Sequence, residues 1–156
     1  MGEDKRGASR RMVVIGGVAS GLVASIRATP SSATPQEMRA AVSSVVGSAS
    51  VRKGRVNIDL PPVVENGNTV SLAVTVGSPM TANNYVKSIH VFNEKNPQPN
   101  VIGVHLGPRC GTAKISTRIR LADSQVVTAI AEMSDGTFWS GSAEVIVTLA
   151  ACTEDF

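Results

Sequence analysis

Two periods of apolar residues run along this chain, one after the other. Residues 34–47 follow the helical period. Thr34 is a good cap, Pro35 suits the first helical position, and Glu37 stands at capping-box spacing. Met38, Ala41, Val42, Val45 and Val46 form one stripe, and Gly47 is a natural stop. The pattern predicts one short helix, Pro35–Val46, docked on the body through that stripe.

Beyond residue 54 the period falls to two. Residues 55–60 read as a strand stopped by Pro61-Pro62, and Glu65-Asn66-Gly67-Asn68 reads as a turn. Residues 69–77 alternate, with Val70, Leu72, Val74 and Val76 on one face. Further strands are expected at 85–93, 101–106, 113–121, 124–133 and 137–149. In 113–121 Ile115, Ile119 and Leu121 point inward, and Lys114, Arg118 and Arg120 outward. Gly107-Pro108-Arg109-Cys110-Gly111 is a loop, and Ser134-Asp135-Gly136 a turn. About seven short strands at this spacing predict an all-β, immunoglobulin-like antiparallel β-sandwich with one short N-terminal helix.

Composition narrows the picture. The 156 residues fit one domain. Aromatics are only 3%, so the core must be built from Val, Ile, Leu and Ala. The net charge of +3 is a property of the first residues, where Lys5, Arg6, Arg10, Arg11 and Arg27 face only Glu3 and Asp4. From Thr29 onward ten Lys+Arg meet ten Asp+Glu, so the body is neutral and nucleic acid is not an expected partner.

Ser9-Arg10-Arg11-Met12-Val13-Val14 is a twin-arginine pattern followed by an apolar run over residues 13–26. That run is short for a membrane span of ~20 residues, and small residues follow at Ala28 and Ala33. Residues 1–33 are therefore expected to be a twin-arginine export signal, residues 34–148 the folded domain, and 149–156 a C-terminal cysteine arm. The mature form needs no membrane. Export places the body in an oxidising compartment, where both Cys110 and Cys152 need a reason to stay reduced.

Other chemistry is sparse. His90 and His105, with Met80 and Met133, lie on separate strands without ligand spacing, so no metal site is expected. Lys114, Arg118 and Arg120 read as a solvated face, with steering of an anion or acidic partner as the alternative. Phe138-Trp139 reads as core, with a subunit interface next. There is no nucleotide loop, no triad spacing and no haem-attachment motif, so no permanently bound cofactor is expected.

"NGNTVSLAVTVGSPMTANNYVKSIHVFNEKNPQPNV" (residues 66–101), "AKISTRIRLADSQVVTAIAEMSDGTFW" (113–139) and "AEVIVTLAAC" (143–152) resemble the SoxY family, the sulfur-carrier subunit of the periplasmic thiosulfate-oxidising system. The leader and the helix before the first strand fit as well. The resemblance implies a periplasmic carrier that is not itself an enzyme. Cys152 would hold sulfur intermediates covalently, in a heterodimer with a SoxZ-like subunit. A SoxAX-like c-type cytochrome would load it, a SoxB-like hydrolase would release sulfate, and a SoxCD-like sulfane dehydrogenase would oxidise the remaining sulfur.

The family's usual terminus is Gly-Gly-Cys-Gly-Gly. Here it reads Ala150-Ala151-Cys152-Thr153-Glu154-Asp155-Phe156. Alanine does not take positive φ freely, so the arm should be stiffer and could extend the last strand. Thr153 adds β-branched bulk. Glu154 and Asp155 should disfavour the thiolate and repel anionic thiosulfate, within the limits of screening. Three readings stay open: a working carrier of a variant subtype, a SoxY-like binding or structural subunit whose Cys152 is inert, and a structural disulfide between Cys152 and Cys110.

Overall fold

The computed structural model describes residues 34–151. One helix and nine strands follow in chain order: α1 (Pro35–Val46), β1 (Val51–Lys53), β2 (Val56–Asp59), β3 (Val63–Val64), β4 (Val70–Val76), β5 (Val86–Asn93), β6 (Asn100–His105), β7 (Ala113–Ile119), β8 (Gln125–Met133) and β9 (Phe138–Val147). The helix is bounded as its capping signals require. Thr34 Oγ1 accepts the Glu37 N–H at 3.3 Å, and the Glu37 carboxylate accepts the Thr34 N–H at 2.7 Å.

The strands form two sheets, one ordered β1-β9-β8-β5-β6 with β3 also on β9, the other β2-β4-β7. Alternation decides which face each strand buries. Val70, Leu72, Val74 and Val76 of β4 are all buried, as are Ile89 and Val91 of β5 and Val127, Ala129 and Ala131 of β8. These residues fill the space between the sheets. Residues one step out of phase, Phe92, Ile130 and Phe138, form a second cluster with Met38, Ala41, Val42, Val45 and Val46 of α1. The helical stripe thus covers the outer face of the larger sheet. The result is a β-sandwich with one helix, as expected.

Two short strands, β1 and β3, were not anticipated. The strand expected at residues 55–60 is β2, Val56–Asp59. Gly54 and Arg55 both take positive φ (115° and 58°), which turns the chain from β1 in the larger sheet to β2 in the smaller one. The crossing passes over Gly141 of β9, where an added Cβ would lie 2.3 Å from the Val56 carbonyl oxygen, so only glycine fits. After Pro61-Pro62 the chain returns to β9 as β3. Both β1 and β3 pair with β9 in parallel, whereas the other pairs are antiparallel.

Candidate functional site

The residues that lead to Cys152 meet at one end of the sandwich. Cys152 and Thr153 lie outside the described residues, as do Arg10 and Arg11 of the expected export signal. Ala150 and Ala151 are described, and they are held from several sides.

The hold begins on β9. Ile146 N–H donates to the Pro62 carbonyl at 2.9 Å, and Thr148 N–H to the Val64 carbonyl at 3.0 Å. On the other side of β9, Val147 N–H donates to Ser124 Oγ at 2.8 Å. Strand pairing stops at Val147, yet the chain does not leave the body. Gly67 N–H donates to the Leu149 carbonyl (2.8 Å), Leu121 N–H to the Gly67 carbonyl (2.9 Å), and Ala151 N–H to the Leu121 carbonyl (3.1 Å). Ala150 is exposed, whereas Ala151 is only 7% exposed. The arm expected to start at residue 149 is thus bound through Ala151.

Gly67 is the centre of this arrangement. A Cβ there would lie 2.3 Å from the Leu121 carbonyl oxygen, 2.9 Å from Ala151 N and 3.2 Å from Val147 Cγ1. No side chain has room. Leu121 is itself fixed from both neighbours. Asn96 Nδ2 donates to the Arg120 carbonyl at 2.8 Å, and Asn96 Oδ1 accepts the Ala122 N–H at 3.0 Å. Gln125, 5% exposed, ties Asn96 to the loop: its Nε2 donates to Asn96 Oδ1, and its Oε1 accepts the N–H groups of Glu94 and Lys95. Sequence reasoning read Gly67 as a turn residue only and did not single out Ser124 or Asn96.

The surface around this end is apolar on one side and basic on another. Val63 and Ile146 are register partners of β3 and β9, and with Leu149 they are the large hydrophobics that stand exposed among the described residues (56%, 53% and 63%). Arg118 and Arg120 point outward at the Leu121 end of β7, as their phase predicts. Lys95 pairs with Asp123 at 2.8 Å. That bond, with the backbone N–H of Ser124, holds the Asp123 carboxyl below its ordinary 3.8.

Cys110 stands elsewhere. It is exposed and free, in a 3-10 turn where its N–H donates to the Gly107 carbonyl at 3.0 Å. The β4–β7 register pairs Val76 with Ala113 and Val70 with Ile119, so Cys110 and Leu121 lie at opposite ends of β7. Eight residues of strand separate Ala113 from Leu121, or about 26 Å. Ala151, bound to Leu121, is held at the end of β7 opposite Cys110.

The other candidates separate in the same way. His90 and His105 rings meet edge to face with centroids 6.0 Å apart, on the outer face of the larger sheet and far from Ala151. Burial, helped by His105, pushes His90 below the ordinary 6.5. Among the described residues, no group of three or more His, Cys, Asp or Glu is placed to hold a metal ion. Trp139 is half-buried against the core, with the Arg52 and Arg55 guanidiniums 5.7 Å and 4.6 Å from its ring. Lys114 sits at the Cys110 end of β7, away from Arg118 and Arg120.

Comparison with known proteins now adds to this geometry. The family model described as sulfur oxidation protein SoxY matches residues 42–152, and its match ends on Cys152. No curated protein matches the chain. Among solved structures, the sulfur carrier protein SoxY from Chlorobium limicola f thiosulfatophilum superposes with a TM-score of 0.63. It is 23% identical and covers 73% of this chain and 98% of its own. A superoxide reductase (neelaredoxin) from Ignicoccus hospitalis gives 0.54 at 19% identity, covering 74% and 94%. A superoxide reductase from Nanoarchaeum equitans gives 0.52 at 10% identity, covering 62% and 100%. At these identities the structures bear on the fold alone.

Proposed function

The chain belongs to the SoxY family of sulfur oxidation proteins, and on that premise we propose that it is a periplasmic sulfur carrier. It holds thiosulfate-derived intermediates as covalent adducts of Cys152 and has no catalytic residues of its own. The observation that carries this reading is where the family match ends: its last residue is Cys152. The Chlorobium limicola protein of the same fold is a sulfur carrier, which supports the same role.

The chemistry needs a thiolate that partners can reach. In the loading step Cys152 loses its proton and bonds to the sulfane sulfur of thiosulfate. The two electrons released pass to a c-type cytochrome of the SoxAX kind. A SoxB-like hydrolase then adds water across the bond to the sulfonate, sulfate leaves, and a persulfide stays on Cys152. A SoxCD-like dehydrogenase is the expected oxidant of that remaining sulfur. Glu154 and Asp155 follow the cysteine in sequence and carry negative charge, and Arg118 and Arg120 supply positive charge at the end where Ala151 is bound. The exposed Val63, Ile146 and Leu149 support a protein contact at this end, and a SoxZ-like subunit is the proposed partner.

The competing reading is a SoxY-like subunit that does not conjugate. Absence of the glycines that usually flank the family cysteine favours it. The two readings separate on intact mass after incubation with thiosulfate and the partner cytochrome. A carrier gains the mass of one thiosulfate unit and loses that gain in Cys152→Ser. Wild-type protein that never gains it would leave only the non-conjugating reading.

A further inference from the structure

We propose that Arg52, Arg55 and Trp139 form a docking surface for a short acidic segment of a partner protein. The proposal goes beyond the carrier reading and does not depend on it. Arg52 and Trp139 are register partners of β1 and β9. The Arg52 guanidinium lies 5.7 Å from the centre of the Trp139 ring, and the Arg55 guanidinium 4.6 Å from the same point. Both arginines are exposed, and exposed Lys53 adds a third cation within the same four residues. Among the described residues, neither guanidinium forms a salt bridge. The Asp135 carboxylate accepts both its bonds from Thr137, and Arg55 is the least of the influences that lower it. Two like charges thus share one ring without a carboxylate partner of their own. Carboxylates from another chain would relieve their repulsion and accept from both guanidiniums.

The surface is built in advance. Gly54 N–H donates to the Ser140 carbonyl at 3.0 Å and Gly77 N–H to the Arg55 carbonyl at 2.8 Å, so the turn is tied to both sheets. Arg55 is held at φ 58°, a strained conformation for any residue but glycine. An arginine where glycine would serve the turn better points to a use for its side chain. Trp139 packs against the core, and its Nε1–H donates to Thr137 Oγ1 at 3.3 Å, so the ring is fixed as well. Stacking on a fixed ring reduces the freedom that the guanidiniums lose on binding. Tryptophan and arginine are also the side chains that carry most of the energy at protein interfaces. The openness of the surface selects the occupant. A single small anion beside exposed arginines stays hydrated and gains little, whereas a segment with several Asp or Glu residues engages the three cations at once. Trp139 lies eight residues of strand, about 26 Å, from Val147, so this surface is separate from the Ala151 end.

Trp139 is the only tryptophan of the chain, so its emission reports on this surface alone. The test titrates the full chain with hexaglutamate at about 0.1 M ionic strength, where charges beyond ~10 Å are screened. Trp139 emission should change saturably. Arg52→Ala and Arg55→Ala should each move the midpoint to roughly fivefold higher peptide concentration or more. Arg39→Ala removes the same charge from exposed helix surface and should move it by less than about twofold. Midpoints are compared and not amplitudes, because loss of a stacked guanidinium itself alters the emission. An unsaturable response, or equal shifts from Arg39→Ala and Arg55→Ala, would mean that the peptide answers to general charge and would overturn the proposal. The same saturable change with sulfate at equal ionic strength would make this a small-anion site and overturn it too.

Discussion

The two ends of β7 differ in how the backbone beneath each cysteine is held. At one end Cys110 sits in a turn closed by its own neighbours, its N–H bonded to the Gly107 carbonyl three residues back. At the other end, every bond that holds the approach to Cys152 joins segments distant in sequence. Ala151 meets Leu121, Leu149 meets Gly67, and Thr148 meets Val64. A turn closed by local contacts forms wherever its sequence permits. A junction of three distant segments forms only when the whole sandwich does. Cys110 is an incident of a loop, whereas Ala151 is held at a place that the fold constructs.

Glycine substitutions give the widest separation between the ends. At Gly67 a Cβ meets backbone that cannot yield, and the bonds through Leu121 and Ala151 are forced apart. We expect Gly67→Ala to cost about 2–3 kcal/mol in denaturant unfolding, from overpacking and lost hydrogen bonds. Gly111, beside Cys110, has φ +73° but nothing within 4 Å of an added Cβ. Gly111→Ala should cost only the backbone strain, about 1 kcal/mol. Equal costs would mean that the junction at Gly67 is not tight.

Acid titration offers a finer contrast. Asp123 at the Ala151 end is held below 3.8 mainly by Lys95, and Asp135 at the Cys110 end mainly by the Thr137 hydroxyl. Both carboxyls are lowered by folding, so each stabilises the protein fully above its unfolded value. Each contribution fades as pH falls from 3.8 through the folded value. Both groups are fully exposed, so the effect is small. Asp123→Asn and Asp135→Asn should each flatten the fall in melting temperature below about pH 4. The Asp123 change should also respond more strongly to added salt, because its principal partner is an ammonium, whereas that of Asp135 is a neutral hydroxyl and Arg55 contributes least. Identical salt responses would remove that distinction.

What could be read from the sequence follows the same division. The helix was legible to its last residue because Thr34, Pro35, Glu37 and Gly47 act on their own neighbours. The faces of β4 and β7 were legible because alternation is local. β1 and β3 were not, since they are three and two residues long and owe their existence to β9, far along the chain. The candidate site divides likewise. Cys152 was singled out through family resemblance and lies outside the described residues. Gly67 showed only its turn, because its close approach to Leu121 and Ala151 has no local signature. The alanines pointed to a stiff arm from residue 149 that could extend the last strand, but the bonds that hold Leu149 and Ala151 past the end of β9 come from Gly67 and Leu121, far along the chain.

The central claim is that the two thiols have different fates, and one measurement addresses it directly. Wild-type protein is treated with thiosulfate and the partner cytochrome, digested without reductant, and mapped by mass. The account predicts the adduct on the Cys152 peptide, with the Cys110 peptide carrying a free thiol. An adduct on Cys110, or a peptide in which Cys110 is joined to Cys152, would contradict it.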